Sequence, residues 1–220
     1  MIQELNKKHS SLKLLLTVIF VTSLLISNII ASKQIQIFGG LILPGAVIIF
    51  PVTYVLSDVF SEVYGYRWSR ITNYIGIFAN LMSVAFFAAA INMKSPDYFT
   101  NSEAFRIVLG STPRILIASV IGLWAGDFIN DNIFRALKKK YPNSHEKYGF
   151  RAIASSIAGE FGDSMLFIPI AFFGQMPLRE ILIMIFTQAT FKVACEILVL
   201  PISTIVMKKI AAYEARQEKA

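Results

Sequence analysis

Five charged side chains lie in segments that are otherwise almost entirely apolar: Arg114, Glu160, Asp163, Lys192 and Glu196. A charge at the centre of a membrane-spanning helix costs about 2.5–3.5 kcal/mol, so five uncompensated charges would approach the whole stability of a small domain. We therefore expect these groups to be paired, hydrated or neutral. Ionisable residues in such numbers inside a membrane are typical of a substrate pathway.

The spacing of these residues assigns them to helical faces. Glu160 and Asp163 are three residues apart, and Gln188, Lys192 and Glu196 follow one another at intervals of four, so each set shares one face of a helix. The simplest arrangement turns the two faces toward each other across a polar cavity. The alternative is a structural ion pair, such as Asp163 with Lys192, that fixes how the last two helices pack. A packing role needs only one pair, so the cavity is the favoured interpretation.

Arg114 follows Pro113 in the outer half of its apolar segment. It either extends to the outer interface of the membrane, as long basic side chains do, or supplies a fixed cation in the cavity. On the same helix Ala118, Gly122 and Gly126 form a small-residue stripe, which allows close approach of another helix. We predict a packing role for the stripe.

The composition predicts a membrane protein. Of 220 residues, 55% are hydrophobic and only 16% are charged, and the net charge of +7 is concentrated in short segments between apolar runs. This distribution is typical of membrane orientation, so we predict no nucleic-acid partner. The single cysteine, Cys195, excludes an intrachain disulfide. His9 and His145 belong to no Cys/His cluster and no Walker A loop is present, so no metal site, cofactor or enzymatic activity is predicted.

Six membrane-spanning helices are predicted, so the chain is expected to be an all-α integral membrane protein with one domain over 1–220. Each predicted span has about the 20 apolar residues needed to cross a bilayer. The first is longer than the apolar part of a usual signal peptide, so we expect it to be retained. The spans are 12–31, 41–57, 70–91, 107–130, 152–173 and 181–207.

The distribution of Lys and Arg predicts the orientation. Fifteen of them fall in the two termini and in the second and fourth connections, against four in the remaining connections. Because basic residues remain on the inner side, both termini and the 131–150 connection are predicted to be cytoplasmic.

Acidic pairs stand near the inner ends of the second and fourth spans: Asp58 with Glu62, and Asp127 with Asp131. Carboxylates at a helix C-terminus oppose its macrodipole, so helix stability does not explain them. Salt bridges to neighbouring Arg or Lys residues and a role at the cytoplasmic mouth are equally open.

Prolines interrupt several predicted spans, at Pro44, Pro51, Pro169 and Pro201. They can kink a helix or free its carbonyl groups. In transporters such breaks often flank binding sites, although proline is also common in membrane helices generally.

Several stretches together resemble the queuosine precursor transporter family, which is grouped with vitamin uptake transporters. They are SDVFSEVYGY, PRILIAS, GDFINDNIFRALK, GEFGDSMLFIPIAF and TFKVACEILVLPI, and they extend over spans two to six. The resemblance implies a six-helix bacterial inner-membrane protein that imports a 7-deazaguanine precursor of the tRNA nucleoside queuosine: the 7-cyano or 7-aminomethyl compound, or queuine. By position it implies functional roles for Asp58, Arg114, Asn130, Asp163, Ser164 and Lys192.

The residue chemistry suits such a ligand. A deazaguanine carries a lactam N–H beside an exocyclic amine, which one carboxylate can accept together, and a carbonyl that Lys, Arg or an amide can donate to. Glu160 and Gln188 therefore join the six residues above as candidate substrate-binding residues. The flat ring could stack on Trp124, Phe161, Phe167 or Phe191.

Three alternatives compete with this interpretation. A transporter of another small planar vitamin would share these features. The substrate-binding subunit of an energy-coupling-factor vitamin transporter resembles this chain in helix number, but the Ala-x-x-x-Ala pattern expected on its first span is absent between Leu12 and Ala31. An intramembrane aspartyl protease would need Gly at position 160, where Glu stands. Ion coupling and homo-oligomer formation are left open.

Overall fold

The computed structural model describes residues 11–140 and 148–217, which form seven α-helices and one β-hairpin. Outside this part of the chain lie His9, His145 and four of the basic residues counted for the orientation: Lys7, Lys8, Lys147 and Lys219. In chain order the elements are α1 (Ser11–Ile30), β1 (Gln34–Ile37), β2 (Leu41–Pro44), α2 (Phe50–Glu62), α3 (Tyr66–Asn92), α4 (Ser102–Leu109), α5 (Thr112–Lys140), α6 (Tyr148–Phe172) and α7 (Leu178–Gln217).

Four segments of the described chain are long and apolar enough to cross a membrane: Ser11–Ile30, Tyr66–Asn92, Ser102–Lys140 and Leu178–Gln217. Their outer faces expose large apolar side chains such as Phe78, Phe86 and Leu198. Apolar surface of this extent requires lipid as the solvent. Helix α6 has 25 residues, which is also long enough, but it carries the charged residues Glu160 and Asp163. The multi-helix membrane fold therefore agrees with the sequence prediction.

The second predicted span, 41–57, is not α-helical in its first half, so the all-α prediction is wrong there. Residues Gln34–Ile37 and Leu41–Pro44 pair as an antiparallel hairpin, followed by a 3₁₀ turn over Gly45–Ile48. Gly39 and Gly40 both have positive φ in the connecting turn, a conformation that glycine adopts without steric cost. Helix α2 begins only at Phe50, with Pro51 in its first turn, where proline's missing N–H is not needed.

The fourth predicted span, 107–130, is broken near its start. Residues Ile107–Leu109 end the short helix α4, and α5 begins separately at Thr112. The first and fifth predicted spans, 12–31 and 152–173, agree closely with α1 and α6.

Helices α5 and α6 pack closely through the small-residue stripe. A Cβ added to Gly122 would lie 2.5 Å from Asp163 Oδ1, and one added to Gly126 would lie 2.9 Å from the carbonyl oxygen of Gly159. Neither position has room for a side chain. The stripe is thus a packing surface, as predicted, and it also sets Asp163 directly against α5.

An apolar core lies at the end of α6, where residues from the starts of α5 and α7 join it and the second hairpin strand packs on α7. Its buried members include Ala46, Ile115, Phe172 and Met184. Leu43 of the hairpin is fully buried nearby. This core bounds the charged residues of α6 and α7 on one side.

Candidate substrate-binding site

A pocket of about 190 Å³ lies between α2, α5, α6 and α7. It is smaller than the ~300–1,000 Å³ pockets that hold drug-sized ligands, so it suits a single small ring system. Its lining combines rings, amides and charges: Phe50, Thr53 and Tyr54 from α2; Leu123, Gly126, Asp127 and Asn130 from α5; Ser156, Gly159, Glu160 and Asp163 from α6; and Lys192 from α7.

Lys192 is the centre of the charged cluster. Its ammonium nitrogen lies 3.0 Å from Glu160 Oε2 and forms an ion pair with Asp163 Oδ2 as well. The Phe50 ring stands 5.6 Å from the same nitrogen, within cation–π range. Because the lysine side chain is only 13% exposed, two carboxylates and one ring compensate a charge that water reaches poorly.

The polar faces of α6 and α7 meet as their spacing predicts. Because the helices are antiparallel, contacts recur at intervals of one turn along the interface. Gln188 Nε2 donates to Ser164 Oγ at 3.4 Å, Lys192 pairs with Glu160 and Asp163, and Ser156 Oγ donates to the Glu196 carboxylate at 2.8 Å. We call this row of contacts the polar ladder.

Ser164 and Gln188 lie behind the pocket and do not line it. Both are essentially fully buried. Within the described residues, Gln188 Oε1 has no hydrogen-bond partner. The structure therefore places these two predicted residues beside the charged cluster, in the α6–α7 interface.

Asn130 lines the pocket from α5, as one of the positions implied by the family resemblance. Its amide makes no hydrogen bond within the part of the chain that the structure describes. Both its N–H donors and its carbonyl oxygen are therefore available to a ligand.

Arg114 lies elsewhere. Its guanidinium donates to the carbonyl oxygens of Ile170 at 2.5 Å and Phe173 at 2.6 Å, so it binds the C-terminal end of α6. It precedes Leu123, the nearest pocket residue on its helix, by nine residues, or about 13 Å of helix rise. The contacts are those of a helix cap, a role that differs from both predicted alternatives.

Asp58 also does not line the pocket. It stands one helical turn beyond Tyr54 on α2 and is close enough to Glu196 for an electrostatic interaction. The structure thus places it near the polar ladder on the side away from the apolar core.

The aromatic residues of the pocket are not those that were predicted. Trp124 is 71% exposed, Phe161 packs against Phe186, and Phe167 belongs to the apolar core. Phe191, like these three, is absent from the pocket lining.

The rings that do line the pocket come from the first turns of α2. They are Phe50 and Tyr54, and the Tyr54 hydroxyl lies 3.5 Å from Glu160 Oε1. The signal for them in the sequence was Pro51, one of the prolines that interrupt predicted spans.

A pocket that brings charged and polar side chains together between apolar helices is typical of multi-pass membrane proteins that bind a small solute. The chain belongs to the family described as "Putative vitamin uptake transporter", whose sequence profile matches residues 44–206. This match contains every predicted site residue and confirms the resemblance to that group.

One curated relative is a Bacillus subtilis (strain 168) protein named "Probable queuosine precursor transporter". It is 22% identical over 176 residues, which cover 80% of this chain and 76% of the relative. No solved structure matches the chain significantly.

Proposed function

We propose that this protein imports a 7-deazaguanine precursor of queuosine across the bacterial inner membrane. The observation that carries the proposal is the pocket itself, in which an ion-paired carboxylate cluster faces an unpaired amide and two aromatic rings. The family and the name of the Bacillus relative support it.

The two carboxylates have different roles in this proposal. Asp163 is 12% exposed and pressed against Gly122, whereas Glu160 is 20% exposed and faces Tyr54. Glu160 is therefore the better acceptor for the lactam N–H and the exocyclic amine of the ligand, while Asp163 anchors Lys192.

The ring carbonyl and the flat face of the ligand can contact residues of α5 and α2. The Asn130 amide can donate to the ring carbonyl, which has no donor of its own. Phe50 and Tyr54 offer faces on which a flat ring can stack. The pocket thus presents an acceptor, a donor and an aromatic surface, each on a different helix.

The proposal includes six crossings with both termini in the cytoplasm. Helix α2 has 13 residues and spans about 20 Å, so the hairpin and 3₁₀ turns before it would complete the second crossing. Irregular backbone at membrane depth is tolerated where protein covers it, and Leu43, Ala46 and Val47 are buried. The fifteen-to-four distribution of basic residues supports the orientation.

The test is uptake of labelled precursor into vesicles that contain only this protein, with and without a pH gradient. We expect saturable uptake that Glu160→Gln abolishes and that Glu103→Gln, at an exposed position of α4, leaves unchanged. Expression in a cell that neither makes nor imports deazaguanines should restore queuosine in tRNA. Failure of both assays with correctly inserted protein would refute the proposal, and uptake only with a separate ATPase would favour the energy-coupling-factor alternative.

A further inference from the structure

We propose that Asp127 is the subsite for a cationic amine on the ligand. The site would then prefer a 7-deazaguanine that carries a basic amine, such as the 7-aminomethyl compound, over a neutral one such as the 7-cyano compound. This inference rests on the proposed function and extends it to a choice among its substrates.

The charges that line the pocket do not balance. Three carboxylates, Asp127, Glu160 and Asp163, face one cation, Lys192. The lysine is shared between Glu160 and Asp163. Asp127 has no hydrogen bond or ion pair within the described residues, although it lines the same cavity. A positively charged ligand would supply the missing partner.

The position of Asp127 fits one edge of the ligand. Glu160 on α6 would hold the edge that carries the lactam N–H and the exocyclic amine. The substituent at C7 projects from the other edge of the bicyclic ring, next to the carbonyl. Asp127 and Asn130 line the pocket together from α5, so a ring whose carbonyl meets Asn130 would bring its C7 substituent near Asp127.

The amine has the right charge for this contact. A primary alkylamine titrates near the pKa of lysine, about 10.4, and is protonated at neutral pH, whereas a nitrile is neutral. Asp127 is exposed to water where it lines the pocket. Because ion pairs of exposed carboxylates are weak, the contact should favour the cation by about two- to fivefold in affinity.

The experiment compares equilibrium binding of the 7-aminomethyl and 7-cyano compounds to the purified full-length protein. We expect the wild type to bind the amine about two- to fivefold more tightly, and Asp127→Asn to bring the affinity ratio close to one. The control is Asp131→Asn, four residues along the same helix, where the side chain is 71% exposed and paired with Arg135. It should keep the wild-type ratio.

Wild-type protein alone can overturn the inference, so the test does not depend on a variant that folds. Equal affinity for the two compounds would refute the amine subsite and leave the proposed function standing. A preference that survives Asp127→Asn would equally refute the assignment to Asp127, whereas its retention in Asp127→Glu would support it. Binding of neither compound would refute the proposed function and this inference with it.

Discussion

Removing the charge of Lys192 separates a binding site from a packing contact, because the lysine holds two carboxylates at once. In Lys192→Met, Glu160 and Asp163 keep their charges without a cation between them. In Asp163→Asn, Lys192 keeps its 3.0 Å contact with Glu160. In the double variant only Glu160 is left charged without a cation, and the repulsion between carboxylates is gone.

The geometry gives the size of each effect. Both carboxylate oxygens contact one nitrogen, so they lie less than about 6 Å apart, and at an effective dielectric constant of 20 their repulsion is about 3 kcal/mol. Lys192→Met should therefore destabilise the protein by about 3–5 kcal/mol, the usual result of breaking a buried pair. Asp163→Asn loses one charge-assisted hydrogen bond, about 1.5–3 kcal/mol. Adding Asp163→Asn to Lys192→Met should restore about 3 kcal/mol, the repulsion it removes.

The assay is detergent thermal stability measured beside precursor uptake for both single variants and the double. The exposed pair of Asp131 with Arg135 is the matched control, since its loss should cost no more than about 1 kcal/mol. We expect the double variant to be more stable than Lys192→Met and still inactive. A lysine variant as stable as Asp163→Asn would refute the two-carboxylate reasoning. A stable, fully active double variant would refute the site assignment for this pair.

Three further predictions concern the frame around the site. Arg114→Met should destabilise the protein by about 1–3 kcal/mol, because it leaves the carbonyl groups at the end of α6 unpaired. Uptake should fall only in proportion to the fraction of unfolded protein. Loss of uptake at full stability would contradict a capping role. Gly122→Ala should cost roughly 1–3 kcal/mol in unfolding measurements, because its methyl meets a carboxylate. Gly76→Ala, which meets only the end of a flexible side chain, should stay within about 1 kcal/mol of wild type, and equal effects would contradict this account. In a cysteine-free background, an impermeant thiol reagent applied to intact cells should label Asp97→Cys and spare Lys139→Cys; the opposite result would reverse the orientation.

Helical periodicity explains why much of the charged cluster was predictable. Positions three and four residues apart share a face, so Glu160 and Asp163 could be matched with Lys192 before any contact was known. The carboxylates cannot remain unpaired in an apolar segment, which left few partners to choose from. Sequence spacing does not reveal that one lysine serves both, because that depends on side-chain positions across two helices.

The second predicted span failed for a different reason. An apolar run has the same hydropathy in a strand, a 3₁₀ turn and a helix, so 41–57 looked continuous. The hairpin is set by Gly39 and Gly40, which lie just before that run. Phe50 and Tyr54 were missed as a consequence, because Pro51 marks an interruption of the span but does not indicate which of the 18 Phe residues and neighbouring rings face a cavity.

The partner of Arg114 could not be inferred from the sequence either. The carbonyl oxygens that it binds belong to residues 56 and 59 positions further along the chain. Every residue has a backbone carbonyl, so the sequence does not indicate which carbonyl groups Arg114 binds. Only the packing of α5 on α6 identifies these acceptors.

The polar ladder joins α6 to α7 in part through Glu160, the carboxylate to which the proposed ligand would donate hydrogen bonds. A solute that donates hydrogen bonds to Glu160 would share this carboxylate with Lys192, so its arrival would weaken an ion pair between two neighbouring helices. The net affinity would then be the free energy of the hydrogen bonds to the solute less the part of the ion-pair energy that is lost. Such an exchange would keep occupancy of the proposed site reversible and would couple it to the contact between the two helices.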